Sequence, residues 1–182
     1  MAAGSSSRFG RNKLLQEYKG QNLTSRALNA VPADKLEKIA VVTRFPEVRE
    51  QAEALGFDIV WNECPEEGIS LTIRLGLRKL QSMDAAMFMV CDQPMLTRAS
   101  VAGMADFYLK HPDRIVSMAH KGVRGNPCIF PAKFFQELCE LTGDTGGSAV
   151  IRKHGDSLLL FEIDDASELK DADNALPSGD FK

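Results

Sequence analysis

Short runs of apolar residues alternate along the chain with stretches in which apolar residues recur every three or four positions. The run 39–43 is rich in branched side chains, which is typical of a buried parallel strand, and the periodic stretches are typical of helices. The predicted strands comprise residues 39–43, 57–61, 86–91, 115–118 and 158–163. Their alternation with helices predicts an α/β fold, with a Rossmann-like, mostly parallel sheet flanked by helices on both faces.

Proline, glycine and threonine mark the ends of the predicted helices. Pro32 ends the first helix, and Pro46 suits the first turn of the second, which stops at Gly56. A third helix covers about residues 69–80, and Thr97 can cap a fourth. Helices of this length suit the connections between parallel strands.

The alternation loosens in the second half of the chain. Residues 119–127 form a polar, glycine-rich turn that leads into the short apolar run 128–130, which predicts a hairpin or a long loop at one edge. A further helix over 134–141 is closed by a turn at 142–146. Residues 166–176 are polar, and we predict that they are peripheral.

Composition limits the class of protein. The 182 residues suit a single domain, 1–182, and the 44% hydrophobic and 26% charged fractions are ordinary for a globular protein. A formal charge of −3 gives no general attraction to nucleic acid or to an acidic membrane, and no apolar run is long enough to span a bilayer. The four cysteines have no metal-finger spacing, so we expect reduced thiols in a cytoplasmic protein.

The first thirteen residues combine small side chains with two cations. Gly4 and Gly10 free the backbone, residues 5–7 are serines, and Arg8 and Lys13 project from the same segment. Amides around a concavity with cations alongside suit a nucleoside triphosphate. The segment matches neither the P-loop nor the dinucleotide fingerprint. By composition alone, a phosphate-binding loop and a flexible tail both remain open.

Two aspartates are candidate metal ligands. Asp92 follows the predicted strand 86–91, so it should emerge at the carboxyl edge of the sheet, where ligands bind in open α/β folds. Magnesium takes one or two carboxylates together with phosphate oxygens. A turn-forming aspartate is the alternative for Asp92, and a solvated acidic face is the alternative for Asp173.

Three polar segments with glycine are candidate ligand sites. Gly68 precedes a helix with Ser70 and Thr72 near its start, where amides and hydroxyls suit an anion or a base edge, although ordinary capping is the alternative. The segments 124–127 and 143–146 would each alone be turns.

Several of these motifs together resemble a known family. The first of them comprises Ala2-Ala3-Gly4, Ser6, Arg8, Gly10 and Lys13-Leu14-Leu15. It resembles the signature loop of the nucleotidyltransferases that activate sugars and cofactors, and the greatest likeness is to molybdenum-cofactor cytidylyltransferases. In that family an apolar first strand precedes the alanines, so we expect that this strand is missing before Met1.

The resemblance implies roles for individual residues. Arg8, Lys13 and Asp92 would be catalytic, and Asp92 and Asp173 would hold Mg²⁺. The nucleotide-binding residues would be Ala2, Ala3, Gly4, Ser5, Ser6, Arg8, Lys13, Asn62, Gly68, Ser70 and Thr72, the last at a position where the family more often has serine. The acceptor-binding residues would be Arg124, Gly125, Asn126, Pro127, Gly143, Asp144 and Gly146. Ser148 stands where the family usually has an arginine.

The activity that the resemblance implies is transfer of CMP from CTP to a molybdopterin-type molybdenum cofactor, with Mg²⁺ and with release of pyrophosphate. The expected partners are a nucleoside triphosphate, the phosphorylated cofactor and a molybdenum-enzyme apoprotein, with neither nucleic acid nor membrane. Guanylyl transfer, a sugar-phosphate acceptor and a non-catalytic accessory protein for molybdenum hydroxylases are the alternatives. A dinucleotide-dependent oxidoreductase would fit the sheet but lacks the fingerprint.

Overall fold

The computed structural model of the chain describes Met1 and residues 13–175, with the side chains of Met1 and of residues 14–173. In this part, β1 (Glu17–Tyr18) and β2 (Gln21–Asn22) form a small antiparallel pair, and β3 (Ala40–Thr43) and β4 (Asp58–Trp61) pair in parallel. The remaining strands form a four-stranded sheet in the order β5 (Ala85–Phe88), β7 (Val123–Pro131), β6 (Ile115–His120) and β8 (Leu158–Glu162).

Helices connect the strands, and several have the ends that the sequence predicts. They are α1 (Leu23–Asn29), α2 (Pro46–Ala54), α3 (Ile69–Lys79), α4 (Arg98–Leu109), α5 (Phe135–Cys139), α6 (Ser148–Lys153) and α7 (Ala172–Ala175). The Thr97 hydroxyl accepts a hydrogen bond from the Ser100 amide at 3.1 Å and caps α4. Pro46 lies in the first turn of α2, as predicted.

Helices cover both faces of the four-stranded sheet. Neighbouring residues of β6 point to opposite faces, so Ile115 joins the core cluster with Leu77 of α3 and Leu138 of α5. Val116 joins a second cluster with Met104 of α4. The predicted α/β class with helices on both faces is therefore confirmed. No helix in the described ranges is long and apolar enough to cross a membrane.

A hairpin in the second half of the chain makes this sheet mixed. β6 and β7 are joined through Lys121 and Gly122, which both have positive φ, at 50° and 77°. Such a two-residue turn suits the twist of a hairpin. β7 then lies between β5 and β6 and is antiparallel to both, whereas β6 and β8 are parallel. The predicted excursion is thus a strand within the sheet.

The strand before Asp92 ends earlier than the sequence predicts. We expected a strand over 86–91, but β5 ends at Phe88, which is paired with Cys128 of β7. The next position along β7 is Pro127, which has no backbone N–H to continue the ladder. Asp92 consequently lies on a loop beyond the strand.

The segment 166–172 is an integral part of the fold, so the prediction that it is peripheral is wrong. Ala172 is fully buried, and Glu168 is only 7% exposed. The Glu168 carboxylate accepts hydrogen bonds from the Thr97 amide at 2.8 Å and from the Ser100 hydroxyl at 2.9 Å. The Glu168 carboxylate thus satisfies two donors at the start of α4 and holds the segment against that helix.

A largely apolar cavity of about 450 Å³ lies between β3 and β5. Its lining includes Val41 and Met87 from the two strands, together with Met1, whose ammonium group donates to the Met89 carbonyl at 2.6 Å. In the described chain, β3 pairs only with β4 and β5 only with β7. Each of these strands thus has one edge that no described strand covers.

Candidate functional site

Most of the predicted triphosphate loop lies outside the described residues, namely Ala2, Ala3, Gly4, Ser5, Ser6 and Arg8. Lys13 begins a short 3-10 helix, Lys13–Leu15, and its side chain is not among those that the structure describes. Leu14 is buried, and its carbonyl accepts a hydrogen bond from the Thr24 hydroxyl of α1 at 3.0 Å. The chain that leaves the predicted loop is therefore anchored on α1.

Asn62 and Thr72, both predicted on the nucleotide side, lie together. Asn62 follows β4 and is almost fully buried, and its Nδ2 donates to the Thr72 hydroxyl on α3 at 3.3 Å. Its Oδ1 accepts from the Cys64 amide at 3.1 Å, which fixes the turn after the strand. One Asn62 side chain thus ties the end of β4 to the first turns of α3.

The start of α3 contacts the predicted acceptor turn. Gly68 is the N-cap of α3 with φ +85°, and the Ser70 amide donates to the Gly143 carbonyl at 3.1 Å. A Cβ at Gly68 would come within 3.0 Å of Gly143 and Asp144, and Gly146 lies against Ile69. The two segments that the resemblance assigns to different substrates are therefore adjacent. Ser70 is itself buried, and its hydroxyl makes no hydrogen bond to a described residue.

The second predicted acceptor segment lies in β7 and reaches the start of α6. The Arg124 guanidinium, which is half-buried, donates to the hydroxyl of the exposed Ser148 at 3.3 Å. A cation thus lies beside the position where the resemblance expected an arginine. Gly125 accepts a hydrogen bond from the Ser117 hydroxyl at 2.8 Å, and the Asn126–Pro127 peptide bond is cis.

The two predicted metal ligands come from distant parts of the chain, and a backbone hydrogen bond joins Asp92 to the residue before Asp173. The Ala172 amide donates to the Asp92 carbonyl at 2.7 Å, and Asp173 is the next residue, in the first turn of α7. Among the described side chains, no group of three or more His, Cys, Asp or Glu residues could hold a metal ion. Two carboxylates suit Mg²⁺, which takes its remaining ligands from phosphates and water.

Gln93 is a buried polar residue of this region to which the sequence analysis assigned no role. Its side chain is 4% exposed, and its amide nitrogen donates to the carbonyls of Asn126 at 3.3 Å and of Leu169 at 3.1 Å. A glutamine beside a candidate aspartate carries no local signal of burial. Only the fold shows that Gln93 joins the Asp92 loop to β7 and to the C-terminal segment.

The cysteines near this site are not suited to nucleophilic catalysis. Burial raises the pKa of the Cys91 thiol and also that of the Cys128 thiol. The thiolate is the reactive form of cysteine, so a raised pKa lowers reactivity at neutral pH. All four cysteines of the chain are free.

An α/β sheet with a polar helix start and carboxylates on the loops beyond its strands is an arrangement that suits a nucleotide-binding domain. Residues 1–158 match the family model of the MobA-like NTP transferase domain. The chain belongs to this family and is a nucleotidyltransferase.

Known relatives cover nearly the whole chain. It is 28% identical over 186 residues to the purine catabolism protein PucB of Bacillus subtilis, covering 95% of this chain and 89% of that protein. The structure of Rv0371c from Mycobacterium tuberculosis superposes with a TM-score of 0.77 at 23% identity, covering 91% of this chain and 86% of that one. Rv0371c has also been crystallised in complex with manganese, with a TM-score of 0.68 at 20% identity and coverage of 85% and 83%.

A nucleotidyl transferase of Methanothermobacter, Mth528, gives a TM-score of 0.75 at 20% identity, covering 91% of this chain and 81% of that one. At these low identities, the structural neighbours support the fold. The family match carries the assignment to the nucleotidyltransferases.

Proposed function

We propose that the chain transfers CMP from CTP to a molybdopterin-type molybdenum cofactor and releases pyrophosphate. The observation that carries the proposal is the hydrogen bond from the Ala172 amide to the Asp92 carbonyl, because it puts the backbone of one candidate metal ligand against the residue before the other, Asp173. The motifs that resemble the cytidylyltransferases, from Ala2 to Asp173, support this cofactor as acceptor. The choice of CTP rests on Ala2-Ala3-Gly4, since the guanylyl branch tends to have a second glycine there.

The reaction needs positioning and neutralisation of charge more than covalent help from the protein. A phosphate oxygen of the acceptor attacks the α-phosphorus of CTP, and the bond to the leaving pyrophosphate breaks. Arg8 and Lys13 would neutralise the triphosphate, and Asp92 with Asp173 would hold Mg²⁺, which screens the phosphate oxygens. The manganese complex of Rv0371c supports a divalent ion on this fold.

The two substrates would occupy neighbouring sites, because the start of α3 contacts the 143–146 turn. Amides of residues 2–6 would cradle the nucleotide, and Asn62, Gly68, Ser70 and Thr72 would form the rest of its site. The segments 124–127 and 143–146 would hold the acceptor. Arg124 beside Ser148 provides a cation for the acceptor phosphate where the family usually has another arginine.

The test is a pyrophosphate-release assay with Mg²⁺, the molybdopterin-form cofactor and each of CTP, GTP, ATP and UTP. Release with CTP supports the proposal, and release with GTP would change the nucleotide to guanylyl. The same assay is repeated with a sugar phosphate in place of the cofactor, and release only in that case would change the acceptor. No release with any nucleotide would favour an accessory protein that delivers cofactor to a molybdenum-enzyme apoprotein.

A matched pair of variants tests the metal assignment. Asp92→Asn should lower turnover by at least about a hundredfold and weaken the Mg²⁺ response, because a charged ligand is lost. Asp164→Asn makes the same change at an exposed site and should leave both unchanged. An unaltered magnesium titration in Asp92→Asn would show that other residues bind the ion.

A further inference from the structure

Gln93 connects three segments of the chain through one side chain. Its amide nitrogen donates to the carbonyls of Asn126 in β7 and Leu169 before α7, while its own backbone belongs to the loop after β5. Both partners are carbonyl oxygens, so only the NH₂ group of the amide can face them, and this fixes the orientation of the side chain. At 4% exposure, water cannot readily replace these bonds.

Two other attachments join the same segments. The Glu168 carboxylate accepts from the Thr97 amide and the Ser100 hydroxyl, and the Ala172 amide donates to the Asp92 carbonyl. The chain before Asp173 is therefore bonded at Glu168, at Leu169 and at Ala172 to the loop that carries Asp92 and to the start of α4. The Leu169 side chain also packs on Gly125, where a Cβ would lie 3.2 Å from it.

These attachments matter because α7 has four residues and cannot form a stable helix by itself. Bonds to other parts of the chain therefore help to hold the segment in place. Of the three attachments, only that of Gln93 also reaches β7, at Asn126 within the predicted acceptor segment.

We propose that Gln93 is a positioning residue that holds residues 168–173 on the Asp92 loop and so keeps Asp173 beside Asp92. This inference rests on the proposed role of these two aspartates as metal ligands. Gln93 would act through its two carbonyl partners, without touching the metal or a substrate. It sets the separation of the carboxylates and their register with the acceptor segment.

The experiment compares Gln93→Glu with Gln136→Glu. The first change keeps the size of the side chain but turns an acceptor towards two carbonyls, whereas Gln136 is exposed on α5 and donates to Glu140 one turn along the same helix. Hydrogen exchange of the Ala172 amide reports the attachment, and Mn²⁺ titration followed by EPR reports the carboxylate pair. Neither readout requires turnover.

In Gln93→Glu we expect at least about tenfold faster exchange at Ala172 and about tenfold weaker Mn²⁺ binding, the low end of the loss seen when contacts that support a metal site are removed. Exchange in β6 and β8 should stay unchanged, and Gln136→Glu should behave as wild type. Gln93→Met, which lacks the donor but adds no charge, should give the same pattern and serves if the glutamate variant does not fold.

Unchanged exchange at Ala172 would overturn the proposal. Faster exchange with unchanged Mn²⁺ affinity would also overturn it, since Gln93 would then act only on the fold. Failure of the proposed function has a different signature, namely wild-type Mn²⁺ binding that Asp92→Asn does not weaken, or no pyrophosphate release although the exchange result holds.

Discussion

At the scale of single residues, the contact between Gly68 and the 143–146 turn makes a strong test of the packing. Gly68 has φ +85°, and an added Cβ would meet the backbone of Gly143 and the Asp144 carboxylate at less than 3.0 Å. Gly68→Ala must therefore adopt an unfavourable backbone conformation and also displace the turn. We expect a loss of about 2–4 kcal/mol in the free energy of unfolding, measured by urea denaturation.

Gly56→Ala is the matched control for this prediction. Gly56 also has positive φ, at +74°, but nothing lies within 4 Å of an added Cβ. The free energy of unfolding of Gly56→Ala should therefore fall only by the cost of the backbone conformation, about 1–2 kcal/mol. Equal losses in the two variants would contradict a close contact between the start of α3 and the turn.

The residue scale also separates what the sequence could predict from what it could not. Asn62 and Thr72 were both predicted on the nucleotide side, and the structure joins them by a hydrogen bond. Gln93 was not a candidate, because its partners Asn126 and Leu169 are distant in sequence and no local pattern indicates their carbonyls. The roles assigned to residues 2–8 stay predictions.

At the scale of elements, a carboxylate joins α5 to the end of α6. Glu137 accepts a hydrogen bond from Lys153 at 2.7 Å and lies 2.7 Å from the ring nitrogen of His154. The Lys153 bond, followed by that of His154, holds the pKa of Glu137 below its usual range. A lowered pKa in the folded state stabilises the protein above the unfolded pKa, about 4.3, and this contribution is lost as pH falls through the folded value.

We therefore predict that Glu137→Gln lowers the free energy of unfolding near pH 7, measured by urea denaturation. The loss should be about 1 kcal/mol or less, because the pair is partly exposed. The difference from wild type should shrink below pH 4.3 and vanish below the lowered pKa. Glu140→Gln, which removes an exposed carboxylate from the end of the same helix, should have little effect. A difference that persists unchanged at pH 3 would mean that charge on Glu137 is not its source.

Element boundaries show where local sequence signals stop. The cap at Thr97 and the first turn at Pro46 depend on neighbouring residues, and both were predicted. The early end of β5 depends on Pro127 in another strand, which the run of apolar residues up to Cys91 cannot reveal. The burial of residues around Ala172 likewise depends on the distant Asp92 loop, so polarity alone gave a wrong prediction.

At the scale of the whole molecule, the cavity between β3 and β5 should bind a small apolar probe. Its volume, about 450 Å³, falls within the range of ligand pockets, and most of its lining is apolar. A dye such as anilinonaphthalene sulfonate has about twenty non-hydrogen atoms, worth about 6 kcal/mol at typical ligand efficiency. We expect saturable fluorescence enhancement with a Kd on the order of tens of micromolar.

Two phenylalanine substitutions decide whether the dye reports this cavity or loosely packed protein in general. Ala40 lines the cavity from β3, so Ala40→Phe should fill part of it and weaken dye binding at least about fivefold. Ala54 is exposed at the end of α2, and Ala54→Phe should bind as wild type. The unfolding temperatures of both variants show whether the fold is kept. A partly folded chain exposes apolar surface generally and binds the dye without saturation. Equal, saturable binding by both variants would show that the dye does not occupy the cavity, and would contradict this prediction.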